Sequence, residues 1–363
     1  MIPYKDYQKE NEIFSKKITN NIEEVIKLKS EYKHEKYIEN FEKEFAEYNH
    51  SKYAIAVNSG TTALQIALKA SGIKKDDEVI LPAYTYISTA LAVSNVGAKP
   101  GFIDIKKDTL TIDPEKIRVN VSNKTKAIIP VHIHGNPCDM EGILEVAKKY
   151  NLKIIEDASH AHGAEYSNKK VGNFGIGCFS CHTTKNLAGI GNSGLITTND
   201  KRLYEIIKKM VEVKNNPDLN LSKRTPCKIN AIQASILKAK LPYLDKIITR
   251  KRNNACSYIK NLPKYIEYQK EEKDSKHVYR DFVIITEKRE KLANYLEQNG
   301  VETKIRYKTP LHLTGYYKYL GCKRGDFQVT EEICKKTLCL PISYSLSKKD
   351  IEYICSKIIT NEL

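Results

Sequence analysis

Short apolar runs alternate with amphipathic stretches through the first two thirds of the chain. The apolar runs predict strands at 53–57, 78–81, 100–105, 127–132, 153–157, 178–182 and 194–198. The amphipathic stretches predict helices at 61–70, 88–96, 140–149 and 201–211. Strands that alternate with helices in this way predict an α/β fold, in which a mainly parallel sheet lies between helices.

The pattern changes after about residue 200. Isoleucines and Leu237 mark a long helix that Pro242 should end or kink. Beyond it, strands are predicted at 280–286 and 301–306, with a helix at 288–299 between them.

Two further features complete this outline. A last helix should follow Ser347, whose hydroxyl group is placed to cap it. We therefore predict a large domain over 1–243 and a small C-terminal α+β domain over 244–363. The N-terminal segment is a candidate to pack on the small domain.

Composition narrows the class of protein only slightly. Apolar residues make up 41% of the chain and charged residues 29%, which is ordinary for a soluble protein. No apolar stretch is long enough to span a bilayer, and the N-terminus shows no signal peptide, so we expect a cytoplasmic protein without membrane contact. The net charge of +16 comes from lysines interspersed with acids, which favours a solvated surface over a nucleic-acid footprint.

The nine cysteines form no disulfide framework. Cys178, Cys181 and His182 match the C-x-x-C-H pattern of haem attachment, but that chemistry requires export, and the segment suits a buried strand. A zinc site would need a second pair of ligands at a suitable spacing, and the sequence offers none. We therefore expect reduced thiols and no metal.

Polar residues follow three predicted strands, where open α/β sheets bind ligands. Gly60 and neighbouring hydroxyl groups stand at a helix start, which suits a phosphate or an ordinary helix cap. Asp157 ends a strand, where its carboxylate could keep a proton on a heterocyclic nitrogen or cap a helix. Lys185 follows another strand and could form an imine with an aldehyde, or be one more solvated lysine.

The loop after Lys185 contains a G-x-G-x-x-G pattern at Gly189, Gly191 and Gly194. That pattern binds dinucleotides only where it follows a strand directly and opens a helix. Here a polar loop precedes it and a predicted strand follows it. We therefore do not expect a nicotinamide cofactor.

Taken together, many segments in a fixed order resemble the DegT/DnrJ/EryC1/StrS family of sugar aminotransferases, which share the aspartate-aminotransferase fold type. The matching segments are SGTTAL (59–64), PAYTYISTA (82–90), GAKP (97–100), PVHIHG (130–135), EDASHAHGA (156–164), SCHTTKN (180–186), TTND (197–200), PLHL (310–313) and LP (340–341). The resemblance implies a large cofactor-binding domain with a mainly parallel seven-stranded sheet and a smaller C-terminal domain. It also implies pyridoxal 5′-phosphate (PLP) as cofactor.

The resemblance also implies roles for individual residues. Lys185 would form the Schiff base with PLP, Asp157 would pair with the pyridine nitrogen, Tyr86 would lie against the ring, and His160 would lie near the phenolic oxygen. The residues implied for the phosphate are Gly60, Thr61, Thr62 and Ser180. Relatives with histidine in place of Lys185 remove a hydroxyl group, so the lysine favours transamination. The family implies glutamate as amino donor, a nucleotide-linked keto-sugar as acceptor, and a homodimer.

Three positions depart from the family pattern. Pro226 stands where relatives carry an asparagine that reaches the partner's cofactor phosphate, and Lys228 stands where they carry arginine. Lys308 replaces a proline after Tyr307. We hypothesise that Lys228 or Arg224 contacts the phosphate as a simple positive charge where Pro226 replaces the asparagine. Three alternatives stay open: a non-catalytic sensor or scaffold, an aminotransferase for a cyclitol ketone, and a basic nucleic-acid-binding protein.

Overall fold

The computed structural model describes residues 1–212 and 227–362, and side chains up to residue 360. The helices are α1 (Tyr7–Ile26), α2 (Glu31–Tyr48), α3 (Gly60–Ala70), α4 (Ile87–Asn95), α5 (Pro114–Asn120), α6 (Met140–Tyr150), α7 (Lys201–Val211), α8 (Ala231–Lys240), α9 (Leu244–Asn261), α10 (Arg289–Gln298), α11 (Gln328–Lys336) and α12 (Lys348–Glu362). The strands are β1 (Tyr53–Val57), β2 (Glu78–Pro82), β3 (Lys99–Ile103), β4 (Thr125–Ile128), β5 (Lys153–Asp157), β6 (Glu165–Tyr166), β7 (Lys169–Lys170), β8 (Ile176–Ser180), β9 (Gly194–Thr198), β10 (Glu267–Tyr268), β11 (Ser275–Lys276), β12 (Phe282–Ile285) and β13 (Thr337–Leu340).

A seven-stranded sheet forms the centre of the molecule, with the strand order β1-β9-β8-β5-β4-β2-β3. The pairs from β8 through β5, β4 and β2 to β3 are all parallel. Strand β9 is antiparallel to both of its neighbours, β1 and β8. Six strands therefore run in one direction and β9 in the other. This confirms the prediction of an α/β fold with a mainly parallel sheet.

Helix α3 shows how the apolar pattern builds the core beside this sheet. Ala63, Leu64, Ala67 and Leu68 recur at helical spacing, and all four are buried in one cluster with Val57 of β1. Ser59 caps the helix, because its hydroxyl group accepts a hydrogen bond from the third helical residue. The apolar face fixes the helix on the sheet, and the cap fixes where its first turn begins.

Most predicted elements are present, but several ends are shifted, by up to four residues at β4, which ends at Ile128 rather than at residue 132. Three further differences follow. Strand β8 ends at Ser180 rather than at residue 182, because the chain enters a turn in which the N–H of Lys185 pairs with the carbonyl of His182. The strand predicted at 301–306 is wrong. Only isolated bridges form there, from Val301 to Ile2 and from Lys304 to Cys339, so no continuous ladder develops.

The third difference is the N-terminal region, where the pattern did not lead us to predict helices α1 and α2. Both begin at a capping side chain, Asp6 for α1 and Ser30 for α2. Two predicted ends hold: helix α8 stops just before Pro242, and the hydroxyl group of Ser347 accepts a hydrogen bond from the N–H of Asp350 at the start of α12.

A smaller antiparallel sheet, β10-β12-β13, lies in the C-terminal part of the chain. Its core contains buried apolar residues of α9, α10 and α12. Ile2 contacts this part through its bridge to Val301. The domain boundary after residue 243 stays a prediction. Within the described ranges, helices long and apolar enough to cross a membrane are absent.

Candidate active site

A cavity of about 630 Å³ lies at the carboxyl ends of β2, β4, β5 and β8. These strands are parallel neighbours, so the residues that follow them meet at one edge of the sheet. The predicted site residues that line this cavity are Gly60, Thr61, Tyr86, Asp157, His160, Ser180 and Lys185. Thr62 is not among the lining residues.

The start of helix α3 forms one side of the cavity. A side chain at Gly60 would bring its Cβ atom within 2.6 Å of the Cβ atom of Ser180, so only glycine allows this close approach of helix and strand. Thr61 follows in the first turn, where backbone N–H groups have no partner within the helix. The hydroxyl group of Thr62 lies 2.8 Å from the Ser59 hydroxyl. Thr62 therefore supports the helix start.

Asp157 lies at the carboxyl end of β5 and is buried. One carboxylate oxygen accepts a hydrogen bond from the Thr89 hydroxyl at 2.8 Å, and the other accepts one from the N–H of Ser159 at 3.1 Å. These two bonds fix the orientation of the carboxylate in the cavity wall.

His160 is held in one tautomer by its neighbour. The N–H of His134 lies 3.2 Å from Nδ1 of His160, so Nδ1 is the acceptor and the ring proton of neutral His160 belongs to Nε2. His134 can donate in this direction because its backbone is left-handed, with φ of 57°. Burial, and then the charge of Lys185, hold the pKa of His160 well below its usual value. His160 is therefore a neutral donor.

Lys185 stands in the loop after β8, and its backbone N–H pairs with the carbonyl of His182. Burial, and then the positive charge of Arg280, hold the pKa of the Lys185 ammonium group well below its usual value, although Asp157 acts in the opposite direction. A neutral amine is the form that attacks a carbonyl carbon. The environment of Lys185 therefore favours the reactive form.

The sequence analysis missed a group of hydrogen-bonded residues at the edge of the cavity, which we call the arginine wall: Tyr4, Arg280, Asp281 and Arg306. Asp281 accepts hydrogen bonds from Nη1 of Arg280 at 2.5 Å and from Nη2 of Arg306 at 3.2 Å. The Tyr4 hydroxyl donates to Asp281 and accepts from Arg306 at 3.1 Å. Arg280 and Arg306 both line the cavity.

The protonation states within the arginine wall follow from this geometry. Burial alone would raise the pKa of Asp281, but Arg280, Arg306 and the hydrogen bond from His134 hold it well below its usual value. Burial, and then Asp281, hold the pKa of Tyr4 well above its usual value. Asp281 is therefore a carboxylate, and Tyr4 keeps its proton.

The sequence contained one signal for this wall. Arg280 and Asp281 are charged, yet they stand directly before the apolar strand β12 and are almost fully buried. Such a buried pair needs partners from elsewhere in the chain. The sequence offered no way to see that Tyr4 and Arg306 are those partners.

Comparison with known proteins decides the family. The sequence profile described as the DegT/DnrJ/EryC1/StrS aminotransferase family matches residues 12–359 of the chain. This protein belongs to that family. It is therefore a PLP-dependent aminotransferase.

Individual members of the DegT/DnrJ/EryC1/StrS family are similar over nearly the whole chain. The dTDP-3-amino-3,6-dideoxy-alpha-D-galactopyranose transaminase of Aneurinibacillus thermoaerophilus is 36% identical over 99% of this chain and 99% of its own length. GDP-perosamine synthase of Escherichia coli O157:H7 is 38% identical over 89% of each chain. The crystal structure of S. venezuelae DesV in complex with a ketimine intermediate is 30% identical, has a TM-score of 0.94, and covers 100% of this chain and 99% of its own.

Two of the positions that depart from the DegT/DnrJ/EryC1/StrS pattern, Lys228 and Lys308, lie within the described residues. Lys228 does not line the cavity, and its ammonium group pairs with Glu35 of α2 at 3.1 Å. Pro226 and Arg224 lie outside the described residues. Lys308 is exposed, while the preceding Tyr307 lines the cavity.

His134, His160 and Asp281 bring three potential metal-ligand atoms within 4.8 Å of one another. Asp281 already pairs with two guanidinium groups, and their positive charges would repel a cation at this place. Nδ1 atoms of both histidines are engaged in hydrogen bonds. This cluster is therefore a hydrogen-bond network at the edge of the cavity.

Proposed function

We propose that this protein transfers an amino group from glutamate to the carbonyl carbon of a nucleotide-linked 3-keto or 4-keto hexose, for amino-sugar or surface-glycan biosynthesis. The observation that carries the proposal is that Lys185, Asp157 and the start of α3 surround one cavity. The names of the two relatives, which contain dTDP-linked and GDP-linked sugars, support the nucleotide-sugar class.

The proposed phosphate site is the first turn of α3. Its backbone N–H groups, the positive end of the helix dipole and the hydroxyl groups of Thr61 and Ser180 suit a dianion. Gly60 brings the helix close enough to β8 for both elements to contact one phosphate group. Thr62 contributes by holding Ser59 at the helix start.

The remaining contacts orient the cofactor ring. In the proposal, Asp157 accepts a hydrogen bond from the protonated pyridine nitrogen, and His160 donates its Nε2 proton to the phenolic oxygen. Tyr86, which lines the cavity, would lie against the ring face. When bound, PLP supplies a carbonyl carbon that condenses with amines and a ring that withdraws electrons from the substrate carbon.

Lys185 is the proposed proton carrier. Its side chain lines the same cavity as Asp157, and its depressed pKa leaves an amine that can accept a proton. It takes the proton from the α-carbon of glutamate and delivers it to C4′ of the cofactor, and does the reverse at the sugar carbon.

The proposal includes a homodimer in the cytoplasm. Tyr86 lines the cavity yet is 61% exposed, so a second subunit over this face would complete the site. All nine cysteines are free thiols, as expected in a reducing compartment. Light scattering of the purified protein tests the dimer, since a monomer at working concentrations contradicts it.

The role of Lys185 is tested by borohydride reduction of the PLP-loaded protein. We expect reduction to attach PLP to the peptide that contains Lys185, and the Lys185→Ala variant to lose both this label and the glutamate half-reaction. Lys153→Ala removes an exposed lysine at the start of β5 and serves as the matched control. Label on a different lysine contradicts the proposal.

The acceptor is identified with a panel of 3-keto and 4-keto nucleotide sugars and a cyclitol ketone, each supplied with glutamate. Mass spectrometry of the products shows which ketone is converted to an amine. Amination of the cyclitol ketone alone contradicts the nucleotide-sugar proposal.

A further inference from the structure

Two buried lysines have no role in the proposed function. Lys5 lies in the N-terminal segment and Lys251 in α9, and neither lines the cavity. Within residues 1–212 and 227–362, neither amine forms an ion pair with a carboxylate; their hydrogen bonds go to carbonyl and amide oxygens. An amine buried in this way is costly unless its protons are placed by other contacts.

The hydrogen bonds of the two amines show where their protons lie. Nζ of Lys5 donates to the backbone carbonyls of Arg280 and Ile342. Nζ of Lys251 donates to Oδ1 of Asn186 at 2.8 Å and is also hydrogen-bonded to Lys5. A neutral amine has two N–H groups and one lone pair, which are the groups that Lys5 uses here. Lys5 is therefore a neutral amine that accepts a hydrogen bond from the ammonium group of Lys251.

The environment of the two amines supports this assignment. Burial, and then the charge of Lys251, hold the pKa of Lys5 well below its usual value. Burial also lowers the pKa of Lys251, but its hydrogen bond to Lys5 favours the ammonium form. The two residues, which we call the lysine pair, therefore bury one positive charge rather than two, and this reduces the cost of desolvation.

One end of the lysine pair reaches the residue that follows Lys185. Asn186 is buried, accepts the hydrogen bond from Lys251, and donates from Nδ2 to the carbonyl of Val278 at 3.1 Å. Lys185 itself lies in a loop outside any helix or strand. The side chain of Asn186 therefore attaches this loop to α9 and to the segment before β12.

The other end of the lysine pair reaches the residue that precedes Lys185. Lys5 binds the backbone carbonyl of Arg280, and Nη2 of Arg280 donates to the hydroxyl group of Thr184 at 3.1 Å. The backbone on both sides of Lys185 is thus tied, through one intermediate residue each, to the same two buried amines.

We propose that Lys5 and Lys251 are positioning residues that hold the backbone of Lys185 from both sides, so that its amine meets the carbonyl carbon of PLP in a reactive orientation. This inference rests on the proposed function. Lys251 acts through Asn186, and Lys5 acts through Arg280. A displacement of about 1 Å can slow a reaction by about 100-fold, even when the substituted residue is far from the reacting atoms.

The test separates cofactor attachment from cofactor binding, starting from the whole chain freed of cofactor. The rate at which PLP becomes attached to Lys185 is measured by stopped-flow absorbance. Pyridoxamine 5′-phosphate has the same ring and phosphate group but carries an amine in place of the aldehyde, so it cannot attach, and calorimetry measures its affinity. In Lys251→Met we expect attachment to slow by about 10- to 100-fold. The dissociation constant of pyridoxamine 5′-phosphate should change by less than about threefold.

A second variant removes the other partner of the same hydrogen bond and covers the case in which Lys251→Met does not fold. Asn186→Ala should slow attachment at least as much as Lys251→Met, because it also loses the bond to Val278. The double variant should match Asn186→Ala, since both substitutions break one link. Lys5→Met should slow attachment by less than about tenfold, because the bond between Lys251 and Asn186 remains.

Lys240→Met is the matched control. Lys240 is also a buried lysine that donates to an asparagine, Asn11, at 3.0 Å, and burial lowers its pKa. It stands at the end of α8 and does not line the cavity. We expect Lys240→Met to leave the attachment rate and the affinity for pyridoxamine 5′-phosphate within about threefold of wild type.

The outcomes are distinct. Unchanged attachment in both Lys251→Met and Asn186→Ala overturns the inference. An equal loss of attachment rate and of pyridoxamine 5′-phosphate affinity also overturns it, because the whole site would then be damaged. A double variant whose loss is the product of the two single losses overturns the proposed link between Lys251 and Asn186. A wild-type protein that binds PLP without a covalent bond to Lys185 overturns the proposed function instead.

Discussion

Two parts of the same cavity are built in different ways. The strand-end rim, which consists of Gly60, Asp157 and Lys185, arises where local segments of chain leave the sheet or start a helix. The arginine wall brings together residues as far apart as Tyr4 and Arg306, which are separated by 302 positions in the chain. Local sequence therefore encodes the rim, and only the complete fold encodes the wall.

The two parts also differ in how they are stabilised. Asp157 is held by neutral donors, a hydroxyl group and a backbone N–H. The wall depends on buried ions, and removing one partner of a buried ion pair leaves the other uncompensated. Substitutions in the rim should therefore reduce catalysis, whereas substitutions in the wall should reduce stability.

The largest effect is expected in the rim. Asp157→Asn keeps the shape of the side chain but removes the negative charge that would hold a proton on the cofactor ring. We expect the rate of the glutamate half-reaction to fall by about 10²- to 10³-fold, measured by stopped-flow absorbance. Thr89→Val, which removes only one hydrogen bond to Asp157, should cost about tenfold. Equal effects of the two variants would contradict a role for the charge.

The second prediction concerns the stability of the wall. Asp281→Asn leaves the buried guanidinium group of Arg280 and the partly buried one of Arg306 without their counterion, and should lower the free energy of unfolding by about 3–5 kcal/mol. Asp76→Asn breaks an exposed pair with Lys99 and should cost less than about 1 kcal/mol. Urea denaturation of both variants measures the difference. Similar urea midpoints for the two variants would show that Asp281 stabilises the fold no more than an exposed carboxylate does.

The third prediction follows from the depressed pKa of Asp281. A carboxylate with a lowered pKa in the folded state stabilises the fold fully above its unfolded pKa of about 3.9, and this contribution is lost as the pH falls further. Wild-type stability should therefore decrease more steeply below about pH 4 than that of Asp281→Asn. If stability decreases equally steeply below about pH 4 in both proteins, other carboxylates account for the loss of stability in acid.

The same contrast explains how far the sequence could predict the site. Asp157 and Lys185 follow predicted strands, and Gly60 opens a predicted helix, so their meeting at one sheet edge follows from the parallel sheet. Nothing near Tyr4 indicates a buried charge network, because its partners come from the other end of the chain. Likewise, apolar and polar residues alternate at 301–306 as in a strand, but in the fold this segment forms only isolated β-bridges.

A fourth prediction connects the rim and the wall through Lys185. Arg280 lowers its pKa and Asp157 raises it. Arg280→Gln should therefore shift the pH dependence of PLP attachment to higher pH, and Asp157→Asn should shift it to lower pH. The initial rate of attachment is measured by absorbance across the pH range. Shifts in the same direction would mean that charge does not control the Lys185 amine.

The smallest effect is expected for Tyr4→Phe. The hydroxyl group donates to Asp281 and accepts from Arg306, but these two ions also pair directly at 3.2 Å, so they remain balanced without it. We expect a loss of about 1 kcal/mol in the free energy of unfolding, since one neutral hydroxyl group is removed. A loss of unfolding free energy as large as that of Asp281→Asn would instead assign to Tyr4 the main stabilising role. It would also mean that the arginine wall depends on the N-terminal segment.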